Sequence, residues 1–203
     1  MTGELLPLVF TSGWASGVNA YATVLLLGLL GRFGGLDAVP AGLERTDVLV
    51  AAGVLYALEF VADKIPYVDS TWDAVHTAIR PTVGAVIGLL AAGQADSLET
   101  AVLTATGGVT ALVSHLVKSG LRLAVNTSPE PASNIAVSVA EDVTVTGVIA
   151  LILAAPWIAA GIAAVLLVSG TVLVILLASR IRRALRRRGR RPTTNDVPGG
   201  AAT

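Results

Sequence analysis

Charged and polar residues recur at helical spacing inside stretches that are otherwise apolar. Glu59 and Asp63 stand four apart, which places them on one face of a helix, and Lys64 follows directly. Asp69, Asp73, His76 and Arg80 fall on a single helical stripe, and His115, Lys118 and Arg122 repeat the pattern further on. A fourth group runs Asn134, Ser138, Glu141, Asp142, about two turns into another apolar segment. An ionisable side chain at membrane depth costs about 2.5–3.5 kcal/mol on insertion scales, so such groups turn inward, pair, and mark functional positions by default. Seven acids lie in these segments and their two polar loops (Glu59, Asp63, Asp69, Asp73, Glu130, Glu141, Asp142), against four bases, Lys64, Arg80, Lys118 and Arg122. Such an acid excess needs protons, cations or water, which is the chemistry of a cation or proton pathway.

Other chemistries fit the same residues less specifically. A structural ion-pair network that only sets helix register would use the same side chains. His76 and His115 beside carboxylates could ligate a divalent metal, although no HExxH-type spacing supports it. Asp69, Asp73, His76 and Glu130 could act on a lipid headgroup as a membrane-embedded enzyme. There is no G-x-S-x-G nucleophile elbow, P-loop or dinucleotide fingerprint. With no cysteine, disulfides and thiolate metal sites are excluded. No cofactor is expected, a bound cation being the one ligand the acid excess allows.

The elements that position these residues are apolar helices. The chain of 203 residues is 54% hydrophobic and 14% charged, with a mean hydropathy of +0.75; soluble domains carry about 25% charged residues. Aromatics at 4% and the lack of period-two alternation exclude an outer-membrane barrel. The expected fold is therefore all-α, a polytopic transmembrane bundle of five or six spans. Apolar segments of about the 20 residues a span needs lie near 14–30, 48–62, 69–93, 98–123, 134–155 and 157–179. Pro81 predicts a kink in the third. Gly13-x-x-x-Gly17 and Gly84-x-x-x-Gly88 permit close helix contact. The start, MTGELLPLVF, lacks the basic region and cleavage site of a signal peptide.

Eight arginines between Arg180 and Arg191 follow the last span, while the chain up to residue 179 has six basic and thirteen acidic residues, a formal charge of −7. That cluster predicts a cytoplasmic C-terminal tail (180–203) on anionic headgroups in the inner or plasma membrane. Its Gly/Pro-rich end, 192–203, has the composition of disorder. No aromatic or glycine pattern accompanies the arginines, so nucleic acid is not an expected partner; lipid, a small ion or solute, and a second copy of the chain are. Working back from the tail, Lys64, Lys118 and Arg122 fall inside, and six spans put both termini there. The first loop, with Arg32 and Arg45, breaks the rule by falling outside, unless the first segment does not span simply.

The loops 64–73 and 121–134 share Val68-Asp69-Ser70 and Asp73 with Val125-Asn126-Thr127 and Glu130, a weak internal repeat in parallel orientation. In the second loop, Pro129 and Pro131 stop a helix, Ser133 or Asn134 could cap the next, and Asn126, Glu130 and Asn134 could form the mouth of a pathway. The segments GVNAYATVLLLGLLGRFG (17–34), EFVADKIPYVDSTWDAVHTAIRP (59–81) and SHLVKSGLRLAVNTSPEPASNIAVSVAED (114–142) resemble a bacterial family of multi-spanning membrane proteins, domain of unknown function (DUF) 4126. The resemblance implies a membrane bundle and marks the same polar residues; it implies no activity, and the last span and arginine tail look peripheral to it. Among the candidates, Glu59, Asp63, His115, Lys118, Glu141 and Asp142 best fit the lining of a small transporter or channel.

Overall fold

The computed structural model describes residues 2–65, 68–125 and 131–188. All regular elements among them are helical: α1 (Thr2–Val18), α2 (Ala20–Gly34), a short 3-10 turn (Ala41–Glu44), α3 (Thr46–Ala62), α4 (Val68–Ala92), α5 (Ser97–Val125), α6 (Pro131–Ala154) and α7 (Pro156–Arg188). Within α4 to α7 lie four segments long and apolar enough to cross a membrane. The chain is thus a membrane-embedded α-helical bundle. Its outer surface agrees: Val165 and Val168 on α7 are 67% and 63% exposed, which only lipid or another apolar surface would tolerate.

The expected first span is instead two helices. The chain breaks at Asn19, whose backbone is extended (φ −150°, ψ 102°) and whose side chain accepts the Ala22 amide at 2.9 Å as the N-cap of α2. Asparagine competes for backbone hydrogen bonds and favours caps over helix interiors, so a helix restarts there. The two helices then run in opposite directions. On α1, Leu5 and Leu6 pack with Ala92 and Leu103, while Ser16 at the other end donates to the Arg80 carbonyl at 3.0 Å. On the way back, Tyr21 of α2 meets His76, and Gly42 lies beside Leu90. Both outer ends of this hairpin therefore sit with the α4–α5 turn, and its tip reaches the middle of α5, where a Cβ on Gly17 would press on the Ala111 carbonyl and lie 2.5 Å from Ser114 Cβ.

This corrects the expected topology. The hairpin enters and leaves at one end of the bundle, α3 to α7 then run end to end in alternation, and the N-terminal helix begins opposite the arginines, so the termini do not share a side. Arg32 and Arg45 lie at the N-terminal end, where Arg32 donates to Thr46 at 2.9 Å and Arg45 pairs with Asp47 at 2.7 Å. Gly35 (φ 69°) supplies the left-handed residue that ends α2, and its amide caps the Leu30 carbonyl.

Of four further expectations, two change, one holds and one lies partly out of view. α7 does not end at Ser179 but continues through Arg188, because arginine is a good helix former and extending an existing helix needs no new nucleus; residues 189–203 lie outside the described residues. α6 begins at Pro131, so Ser133 and Asn134 are inside its first turn rather than capping it. α4 carries Pro81 inside it and continues to Ala92, as the single Pro-interrupted helix expected there. The pairs α3–α4 and α5–α6 cross in the same sense, as a parallel repeat would, but the matching positions 126–130 are outside the described residues.

Close backbone contacts hold the core. Gly13 and Gly84 both pack on Gly107, and Gly88 packs on Leu103; a Cβ on Gly13 would lie 2.7 Å from the Gly107 carbonyl oxygen. The small-residue spacing thus brings α1, α4 and α5 together where dispersion contacts, rather than water exclusion, must hold helices. A polar stripe on α1 (Thr11, Ser12, Ser16 and then Asn19) is buried in the same seam, and Ser114 of α5 donates to the Trp14 carbonyl at 2.7 Å.

Candidate functional site

The charged residues converge around the hairpin tip in three groups. In the first, Arg80 of α4 is fully buried. Its Nη2 donates to Glu59 Oε1 of α3 at 2.6 Å, and its Nη1 donates to His115 Nδ1 of α5 at 2.8 Å and lies 2.9 Å from Asp73 Oδ1. In the second, Lys118 Nζ pairs with Asp63 Oδ2 at 2.7 Å and lies 3.6 Å from Glu141 Oε2. Arg122 completes it, reaching Glu141 Oε2 at 2.7 Å, Asp63 Oδ2 at 3.4 Å and the Asp63 carbonyl at 2.7 Å. The third joins Lys64 to Asp142 at 3.5 Å and to the Ser138 hydroxyl at 3.3 Å.

The tip supplies a partner to each group, a backbone carbonyl to the first two and the Asn19 side chain to the third. Because α1 ends there, its last carbonyls lack intrahelical donors. Val18 O accepts from Lys118 at 2.9 Å and Gly17 O lies 3.5 Å from Arg80 Nη1. Cations at a helix C-terminus complement its negative dipole end. The side-chain amide of Asn19 lies 3.5 Å from Asp142 Oδ1, at the N-terminal end of α2 where an anion is favoured. The break at Asn19 therefore orders cations toward α1 and an anion toward α2 in the interior of the bundle.

Both histidines are engaged by protein partners on both nitrogens. His115 Nδ1 accepts from Arg80, which leaves Nε2 to donate to Thr77 Oγ1 at 3.0 Å. His76 Nδ1 donates to the Trp72 carbonyl at 2.8 Å, its Nε2 meets the Tyr21 hydroxyl at 3.1 Å, and its ring stacks on Trp72. Neither ring thus offers a free lone pair to a metal, and among the described residues no three His, Asp or Glu side chains converge as ligands. The expected divalent-metal reading loses its geometry.

Of the sequence-derived candidates, Glu59, Asp63, Lys64, Asp73, Arg80, His115, Lys118, Arg122, Ser138, Glu141 and Asp142 meet in these groups, and His76 lies one turn from Arg80 against Tyr21. Asn126 and Glu130, and the side chains of Asp69 and Asn134, lie outside what the structure describes, so the pathway-mouth and headgroup-enzyme arrangements have no geometry here. Among the described residues five acids of the expected seven face the four bases, Glu130 and the Asp69 side chain lying outside them. Sequence reasoning missed Asn19, Tyr21, Ser16 and the Val18 carbonyl. Asn19 carried a readable signal, an N-capping residue within an apolar run; the others become visible only once the hairpin folds back.

Two cavities adjoin the centre. One of about 390 Å³ lies between α1, α5, α6 and α7, lined largely by apolar residues including Trp14, Val18 and Leu167, with Lys118 and Glu141 on its wall. A second, of about 250 Å³, lies between α4 and α5 and is lined by Asp73, Thr77, Ser119 and Arg122.

Residues 6–176 match the family described as domain of unknown function (DUF4126). The chain belongs to this family. The matched region takes in nearly all of the hairpin, all three charged groups and most of α7, so most of the last span is part of the DUF4126 unit and the arginine run lies beyond it. No curated protein and no solved structure matches the chain.

Proposed function

We propose that this DUF4126 protein is a small transporter or channel in which a cation or proton passes the charged centre at the hairpin tip. One observation carries the reading: at the break, α1 turns its last carbonyls and α2 its N-terminus toward buried charges in the interior of the bundle. Discontinuous helices of this kind form the ion and substrate sites of many secondary transporters, because irregular backbone is tolerated at membrane depth only where it is buried in protein or lines a cavity. The 390 Å³ cavity against Lys118 and Glu141 supports the same reading by giving a solute space beside the charges. The arginine end of the bundle is the cytoplasmic one, from the excess of basic residues there.

A second reading rests on a different observation. Asp63 and Glu141 are balanced by Lys118 and Arg122, which is what a purely structural network would need. Flux separates the two. Purified protein in liposomes, given a proton or alkali-cation gradient, moves the ion in wild type and loses that movement in Glu141→Gln at matched folded amount. Liposomes that move no cation or proton under any gradient would leave the structural reading standing.

A further inference from the structure

Among the described residues, Lys118 and Arg122 pair with Asp63 and Glu141 and Lys64 pairs with Asp142, whereas Glu59 and Asp73 both pair with Arg80; Arg122, shared by Asp63 and Glu141, also lines the cavity that touches Asp73. His115 adds no charge there, since Arg80 donates to its Nδ1 and the ring must accept. Glu59 is 0% exposed and Asp73 3%. Glu59 Oε2 has no hydrogen-bond partner among the described residues, and neither oxygen of Asp73 has an aligned donor. A buried ionised carboxylate without a donor is costly, and one guanidinium cannot neutralise two carboxylates.

We propose that Glu59 and Asp73, held on Arg80, form a proton-binding site in which one carboxyl is neutral, with Asp73 exchanging its proton through the cavity between α4 and α5. The cavity touches Asp73 and not Glu59, which assigns exchange to Asp73 and a permanently enclosed role to Glu59. Its other polar walls are Arg122, held by Glu141 and Asp63, and Thr77 and Ser119, which lie 3.0 and 3.4 Å from His115 Nε2. The groups that face or adjoin the pair are Tyr21 on α2, Asp63 on α3, His76 and Arg80 on α4, His115, Lys118 and Arg122 on α5, and Glu141 on α6. The proton is favoured over a metal cation because Arg80 already occupies the space between the carboxylates and no third ligand converges. The inference deepens the transport reading by naming the coupling ion and its site.

Infrared difference spectroscopy of the full chain in lipid tests it. At neutral pH, wild type shows a protonated-carboxyl C=O band that shifts in heavy water; Glu59→Gln and Asp73→Asn each lose it, and Glu141→Gln keeps it. Wild type needs no variant to fold, so a wild-type spectrum without the band overturns the site, including the case in which His76 holds the proton. A band that survives both substitutions also overturns it, and a band that heavy water does not shift overturns the exchange route. Proton-driven flux in liposomes is read separately. A band without flux upholds the site and sinks transport, whereas flux without a band upholds transport and sinks the site.

Discussion

Replacing Arg122 by glutamine removes one of two cations from a group that otherwise balances. Its side chain is 1% exposed and lies 2.7 Å from Glu141 and 3.4 Å from Asp63. After substitution, Lys118 is the cation left to both carboxylates among the described residues, at 2.7 and 3.6 Å. Breaking a buried ion pair from one side costs about 3–5 kcal/mol, because the orphaned charge stays buried. For a chain of this size each kcal/mol moves Tm by about 2–4 °C, so Arg122→Gln should lower Tm by about 6–20 °C. Glu141→Gln should fall toward the low end, since Glu141 is 18% exposed and water screens part of the loss. The double variant removes one charge of each sign and restores balance. Its cost should therefore fall short of the sum of the singles by about 0.5–3 kcal/mol. Far-UV circular dichroism of detergent-purified protein through a thermal ramp, for all four members of the cycle, gives the coupling. Costs that add within about 0.5 kcal/mol would refute the pairing.

Three other outcomes follow from the same geometry. Asn19→Ala removes the α2 cap and should destabilise by about 0.5–2 kcal/mol, read by the same ramp. Gly107→Leu should cost about 1–3 kcal/mol or more, since even a Cβ there would meet the Gly84 backbone, which cannot yield as a side chain would; retained wild-type Tm would contradict the α4–α5 contact. Because the natural chain has no cysteine, single cysteines report topology cleanly. Asp37→Cys and Asp96→Cys should label with an impermeant thiol reagent from one side of the membrane and Arg186→Cys from the other, and labelling of Asp37→Cys from the Arg186 side would overturn the hairpin.

Hydropathy is a local sum, and it sufficed for α3 to α7. The apolar run before Arg180 and the stripes at Asp73–Arg80 and His115–Arg122 were readable because a helix face is set by spacing alone. The C-terminal ends of α2 and α4 also have a local cause, since Gly35 and Gly93 sit in the left-handed region that glycine tolerates. Hydropathy failed at residues 14–30, since α1 and α2 are both apolar and a window across Asn19 averages over the break. The violation of charge asymmetry at Arg32 and Arg45 persists in the structure, because the hairpin moves the start of α1 to their side and leaves both arginines opposite the tail.

The sequence by itself determined that the chain needs lipid, that its charges lie on inward helix stripes, and which end of the bundle is basic. It could not say which acid meets which base. Glu59 and Arg80 are 21 positions apart, and Lys118 and the Val18 carbonyl are 100; the distance between such partners depends on how helices reverse and pack, not on any local pattern. Only the tertiary structure decided that Asp63 and Glu141 are matched while Glu59 and Asp73 share one guanidinium, because charge balance in a low-dielectric interior is settled by neighbours a few ångströms away rather than by composition.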